Sequence, residues 1–168
     1  SMRGIGRGKA HQIHKVLNAV YESVDTEKNI EDAIEADPSL LFRAPITLLA
    51  RQHVIFTKER ERHAVDLVFL DERRKELILV ELKLGVLTGA AIDQISRYLD
   101  NAYKSTLLRT YLDQGFKLRG MLATIEKSDI NVARSDVTVR VIDRRRVIKG
   151  LLALRNDGVS KTVSSKRQ

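Results

Sequence analysis

The spacing of apolar residues along the chain switches between two periods. From Lys9 to Val24 they recur at Ile13, Val16, Leu17 and Val20, the spacing of one helical face. Glu27 to Asp37 repeats the pattern with Ile30, Ala33 and Ile34. Asp25 or Thr26 can cap that second helix, and Pro38 ends it. The pattern then turns strand-like. Thr47–Thr57, His63–Leu70 and Glu76–Leu84 read as strands, with the polar run Asp71-Glu72-Arg73-Arg74-Lys75 as the turn of a hairpin. Helical spacing returns after Thr88, which can cap a helix reaching to about Tyr103 with Ile92, Ile95, Leu99 and Ala102 on its core face. A short helix over Thr106–Asp113 follows, then strands over Leu118–Ile125 and Val137–Ile142, and a basic amphipathic helix over Arg144–Leu154. This alternation predicts an α/β fold with a mixed sheet flanked by helices.

The 168 residues are about one domain's worth, and no repeat or long linker divides them. The expected organisation is a flexible basic arm over 1–8, a single domain over 9–155 and a flexible basic tail over 156–168. The chain has no cysteine, which excludes disulfides and Cys-ligated zinc or iron–sulfur sites. No apolar run approaches the roughly 18–20 residues that span a bilayer, and the N-terminus lacks a signal peptide's apolar core. The expectation is a cytoplasmic protein without a membrane partner. Its formal net charge of +8 favours a polyanionic partner, nucleic acid first. Aromatic residues make up only 5%, which argues against a single-strand binder built on stacked bases.

The middle of the chain holds the informative residues. Asp66 interrupts an otherwise apolar strand, and Glu81 and Lys83 do the same in the next. Two positions apart, Glu81 and Lys83 share a face of their strand. If the two strands form a hairpin, Asp66 lies near Glu81. Charges at such positions are costly unless paired or metal-bound. Two carboxylates that repel one another suit an oxygen-ligated divalent cation, Mg²⁺ or Mn²⁺. The lysine beside them can position a water or stabilise charge on a phosphate. Gln94 and Tyr98 are four apart and share a helix face, and Glu27 opens its own helix where it can point inward.

This arrangement resembles the PD-(D/E)xK nuclease superfamily, through Asp66-x14-Glu81-x-Lys83. It is most similar to the nuclease domain of the NucS/EndoMS endonucleases. Thr26-Glu27 through Asp37-Pro38, Val65-Asp66, Glu81-Leu82-Lys83 and Gln94-x3-Tyr98 follow that family's elements in order, over roughly residues 26–125. The resemblance implies a restriction-endonuclease-like fold and metal-dependent cleavage of DNA. It implies that Asp66 and Glu81 bind the catalytic metal and that Lys83 orients the attacking water or neutralises the transition state. Glu27 would support the metal or an outer water, and Gln94 and Tyr98 would position the site or touch the phosphate backbone. Arg51 sits near an arginine of the family. The family also carries a separate N-terminal domain for DNA binding and dimerisation, which the short segment ahead of Glu27 does not match.

Taken singly, each of these residues has a plainer role. Glu-x-Lys on a strand is commonly a surface ion pair, and a first-turn Glu is favoured by the helix dipole. Their joint occurrence in order favours the nuclease. His11 and His14 lack a third ligand, and Gly4-x-Gly6-x-Gly8-Lys9 has Ala10 where a phosphate loop needs Ser or Thr. The basic groups Lys58/Arg60/Arg62, Arg73/Arg74/Lys75 and Arg144/Arg145/Arg146 suggest a positive rim. Arg51, Arg60 and Arg62 are the expected nucleic-acid contacts. The expected protein is thus a Mg²⁺- or Mn²⁺-dependent DNA endonuclease, plausibly a homodimer. The alternatives are a non-catalytic nucleic-acid-binding module of the same fold, and a nuclease subunit that acts on RNA or branched DNA with a partner.

Overall fold

The computed structural model describes residue 12 and residues 26–56 and 61–165. Apart from Gln12, the expected first helix (Lys9–Val24) lies outside the described residues, as do the arm 1–8, His11, His14, Lys58 and Arg60. Helix α1 spans Glu27–Ala36. Thr26 caps it by accepting the Asn29 N–H at 3.3 Å, and Pro38 forces the chain into a short 3₁₀ turn over Pro38–Leu40. Three strands follow: β1 (Thr47–Phe56), β2 (Arg62–Asp71) and β3 (Glu76–Lys83). Helix α2 (Gly89–Asn101), a 3₁₀ turn (Ala102–Lys104) and α3 (Thr106–Asp113) cross over to β4 (Lys117–Thr124). β5 (Val137–Val141) and α4 (Arg144–Ser165) complete the chain.

The five strands lie in sequence order. β1, β2 and β3 form an antiparallel meander, and β4 and β5 add in parallel. The sheet is therefore mixed, and its two faces bury separate cores. On one face Ile30, Ala33 and Ile34 of α1 and Val147 and Leu151 of α4 cover Phe69, Val80, Leu82, Met121 and Ala123. On the other, Ile95, Tyr98 and Leu99 of α2 and Leu108 of α3 cover Val68, Leu70, Leu77, Leu79 and Leu122. Strands covered on both sides read as continuous apolar runs, as β3 does from Leu77 to Val80. Gly120 lets α2 approach β4, because a Cβ there would lie 3.0 Å from Ile95 Cγ1.

Two elements depart from expectation. The last helix runs past the expected end at Leu154 to Ser165. No proline interrupts it, so the helical backbone continues well past Leu151, which is buried in the core. Tyr98, expected beside the core stripe of its helix, lies within the core at 1% exposure. Among the described residues no helix is long and apolar enough to cross a membrane.

Candidate active site

β2 and β3 pair from Asp71↔Glu76 only as far as Leu67↔Val80. Beyond that point β2 stays with β1 and β3 stays with β4, so the sheet forks. Backbone groups inside the fork lose their ladder partners, and an unpaired buried N–H costs about 1–3 kcal/mol. The side chain of Asp66 resolves this, its Oδ2 accepting the Leu82 N–H at 2.7 Å. That bond turns the Asp66 carboxylate into the fork. The next step of the antiparallel register places Glu81 across from it. Both carboxylates are buried.

Glu81 Oε1 lies 3.3 Å from Lys83 Nζ, while its Oε2 is buried with no hydrogen-bond partner. Burial pushes the Glu81 carboxyl up to about 8, and the Asp66 charge adds to this while Lys83 opposes it. Behind Glu81, the Tyr98 hydroxyl accepts from Gln94 Nε2 at 2.7 Å and donates to the Ala64 carbonyl at 3.1 Å. Burial, and then the Glu81 charge, hold that phenol above its ordinary value, so it stays protonated. Tyr98 thereby ties α2 to β2 at the wall of the site.

α1 supplies two more carboxylates one turn apart. Glu27 is held above its ordinary value first by withdrawal from water and then by Asp66, with Lys83 opposing. Glu31 is buried among the apolar residues of α1, and it too is raised first by burial. Gln52 joins it to the fork, its Nε2 lying 3.0 Å from both Glu31 Oε1 and Asp66 Oδ1. The register sets Gln52 opposite Asp66, and its φ of 48° is left-handed backbone inside a strand. For a residue with a Cβ this costs roughly 1–2 kcal/mol. The strain sits at the position that bridges two buried acids.

A cleft of about 370 Å³ opens beside the fork, lined by Glu27, Lys83, Gly85, Thr88 and Gln94 among others. Its loop wall is pinned by Thr124 Oγ1 donating to the Gly85 carbonyl at 2.7 Å and by the Leu87 N–H donating to Ser128 Oγ at 3.0 Å. Among the described residues no three Asp, Glu or His side chains are gathered as a ready-made metal cage. What the fork offers an ion is the Asp66–Glu81 pair with its unpartnered Oε2.

A solved structure shares the fold that frames this site. A repair endonuclease from Pyrococcus abyssi superposes with a TM-score of 0.54 at 18% identity, over 71% of this chain and 47% of its own. The two proteins share a fold. A complex of EndoMS with double-stranded DNA aligns with a TM-score of 0.47 at 17% identity, over 75% of this chain and 41% of the other. The chain thus spans about half the length, or less, of the solved proteins it matches. No protein-family model and no curated protein matches it. The expected restriction-endonuclease-like α/β sheet is the fold observed.

Within this fold, Asp66, Glu81 and Lys83 come together at the fork, with Glu27 and Gln94 on the adjoining cleft. Tyr98 lies behind them. Arg51 points elsewhere, its Nη1 lying 2.8 Å from Asp32 and 2.7 Å from Glu35 of α1. Arg62 is exposed at the start of β2, and Arg60 is outside the described residues. Glu31 and Gln52 went unnoticed in the sequence. Glu31 had a signal, since it follows Glu27 by four and shares its helix face. Gln52 had none, because a polar residue in a strand is ordinarily solvated.

Proposed function

We propose that this protein is a metal-dependent endonuclease that hydrolyses phosphodiester bonds in DNA, with Mg²⁺ or Mn²⁺. The observation that carries this reading is the fork itself. Two buried carboxylates face each other, one with an oxygen lacking any partner, and a lysine stands at the mouth. Mg²⁺ is ordinarily held by one or two carboxylates and keeps several waters, and a two-carboxylate site suits that ion. Asp66 and Glu81 would hold it, and when bound it supplies Lewis-acid activation of water and phosphate. Asp66 enters already oriented by the Leu82 N–H and the Gln52 amide. Lys83 is one-third exposed, which lets its ammonium reach the attacking water or the charge developing on the phosphate. Glu27 and Gln94 face the same cleft and orient water or substrate there. The fold shared with a repair endonuclease and the net charge of +8 support the same reading.

The test is cleavage of plasmid, single-stranded, mismatched and branched DNA and of RNA, at low salt, with Mg²⁺, Mn²⁺ or EDTA. Asp66→Ala and Lys83→Ala are each expected to lower metal-dependent cutting by at least about 100-fold. Duplex binding without cutting, unchanged by either substitution, would replace this reading with a non-catalytic module of the same fold.

A further inference from the structure

A second charged concavity lies away from the fork. Arg43, Arg73, Arg74 and Arg140 line a cavity of about 440 Å³ together with Phe42 and Asp71. The arginines come from three separate parts of the chain: the segment before β1, the β2–β3 turn and strand β5. This is therefore not a sequence run fanned into solvent. Its frame is fixed. Phe42 packs edge-on against Phe69 with ring centroids 4.9 Å apart, which anchors the segment carrying Arg43. Asp71 Oδ1 accepts the Arg74 N–H at 3.0 Å, which shapes the turn carrying Arg73 and Arg74.

Four arginines elsewhere in the fold are ion-paired: Arg51, Arg119, Arg134 and Arg146 each lie within 4.0 Å of a carboxylate. The four here have exposed side chains and make no ion pair among the described residues. Asp71 is the one acid in the cavity, so positive charge dominates. Guanidinium groups that converge from separate segments repel each other unless an anion sits between them, and their planar forks match tetrahedral phosphate oxygens.

We infer that this cavity binds a backbone phosphate of a nucleic-acid strand, at a point distinct from the carboxylate fork. The polynucleotide part of the inference rests on the function proposed above. Phe42, the aromatic side chain lining the cavity, is packed edge-on against Phe69, and, Asp71 apart, arginines make up its charged lining. That leaves phosphate as the recognised group. Asp71 lies five positions along β2 from Asp66. At about 3.4 Å per residue this separates the two sites by roughly 17 Å, about five base-pair steps along a duplex. A contact there would fix the register of the strand without reading its sequence.

The test is binding of a short labelled DNA duplex to the full chain in EDTA, where cleavage does not intervene. Affinity is measured across about 50–200 mM salt for the unaltered protein, Arg73→Gln/Arg74→Gln, Arg140→Gln and the exposed control Arg109→Gln. Loss of one phosphate contact lowers the slope of log K against log salt by about 0.9. That fall is expected for both cavity variants, with weaker binding, and not for Arg109→Gln. The two cavity variants lie on different elements, and unchanged melting certifies each fold. A parallel titration with inorganic phosphate separates the sources of the anion. Phosphate binding lost in the variants while the duplex slope stays unchanged would overturn the strand contact in favour of a small phosphate ligand. Unaltered slopes with no phosphate binding, or no duplex binding by the unaltered protein, would also overturn it. Failure of cleavage with the slope change intact would remove only the nuclease reading.

Discussion

Replacing Glu81 by Gln should stabilise the metal-free protein at high pH while abolishing cleavage. Glu81 is 4% exposed, faces Asp66 and has one unpartnered oxygen. Folding raises its carboxyl from 4.5 to about 8. A carboxyl raised on folding binds its proton more tightly in the native state. Its stabilising contribution is therefore full below pH 4.5 and is lost as pH rises through 8. The loss runs at about 1.4 kcal/mol per pH unit and totals roughly 3–5 kcal/mol. Gln imitates the protonated acid and has no such loss. Urea unfolding of wild type and Glu81→Gln in EDTA, from pH 5 to 9, should start with similar stabilities and diverge as pH rises. In thermal unfolding the difference at the alkaline end is on the order of 10 °C. A gap that stays constant across this range would refute the reasoning, because it would mean that Glu81 titrates alike in the folded and unfolded chains. Mg²⁺ added to wild type should close the gap at high pH, and should leave the variant where it is.

Tyr98→Phe removes the hydroxyl that joins Gln94 to the Ala64 carbonyl, and should cost about 1–2 kcal/mol in urea unfolding. At position 52 the usual strand ranking should invert. Gln52→Gly should be no less stable than Gln52→Ala, because alanine keeps the left-handed strain at φ 48° and glycine relieves it. Both variants also lose the amide bridge between Glu31 and Asp66, so cleavage should fall in both. Gly120→Ala places a methyl 3.0 Å from Ile95 Cγ1 and 3.1 Å from Leu99 Cδ1, and should destabilise by about 1–3 kcal/mol in thermal unfolding.

Among the described residues, the elements were legible from periodicity because both periods are strong where the core is packed. Thr26, Pro38 and the turn Asp71–Lys75 marked their boundaries. The pairing of Asp66 with Glu81 was legible too, since a hairpin with that turn leaves little choice of register. The sequence alone thus determined the elements, the central hairpin and the identity of three residues at its fork. Only the tertiary structure decided what surrounds them. That Asp66 caps the Leu82 N–H depends on β2 and β3 parting company, which no local pattern encodes. The burial of Glu31 depends on α1 docking over the sheet, and the bridge through Gln52 on a backbone conformation its own side chain disfavours. Arg51 reads as a free cation in the sequence and is held by Asp32 and Glu35 in the fold. Arg43 and Arg140 lie almost a hundred residues apart and line one cavity. Periodicity reports which face a residue takes, because it follows from local backbone geometry. Which charges meet there follows from how distant segments pack.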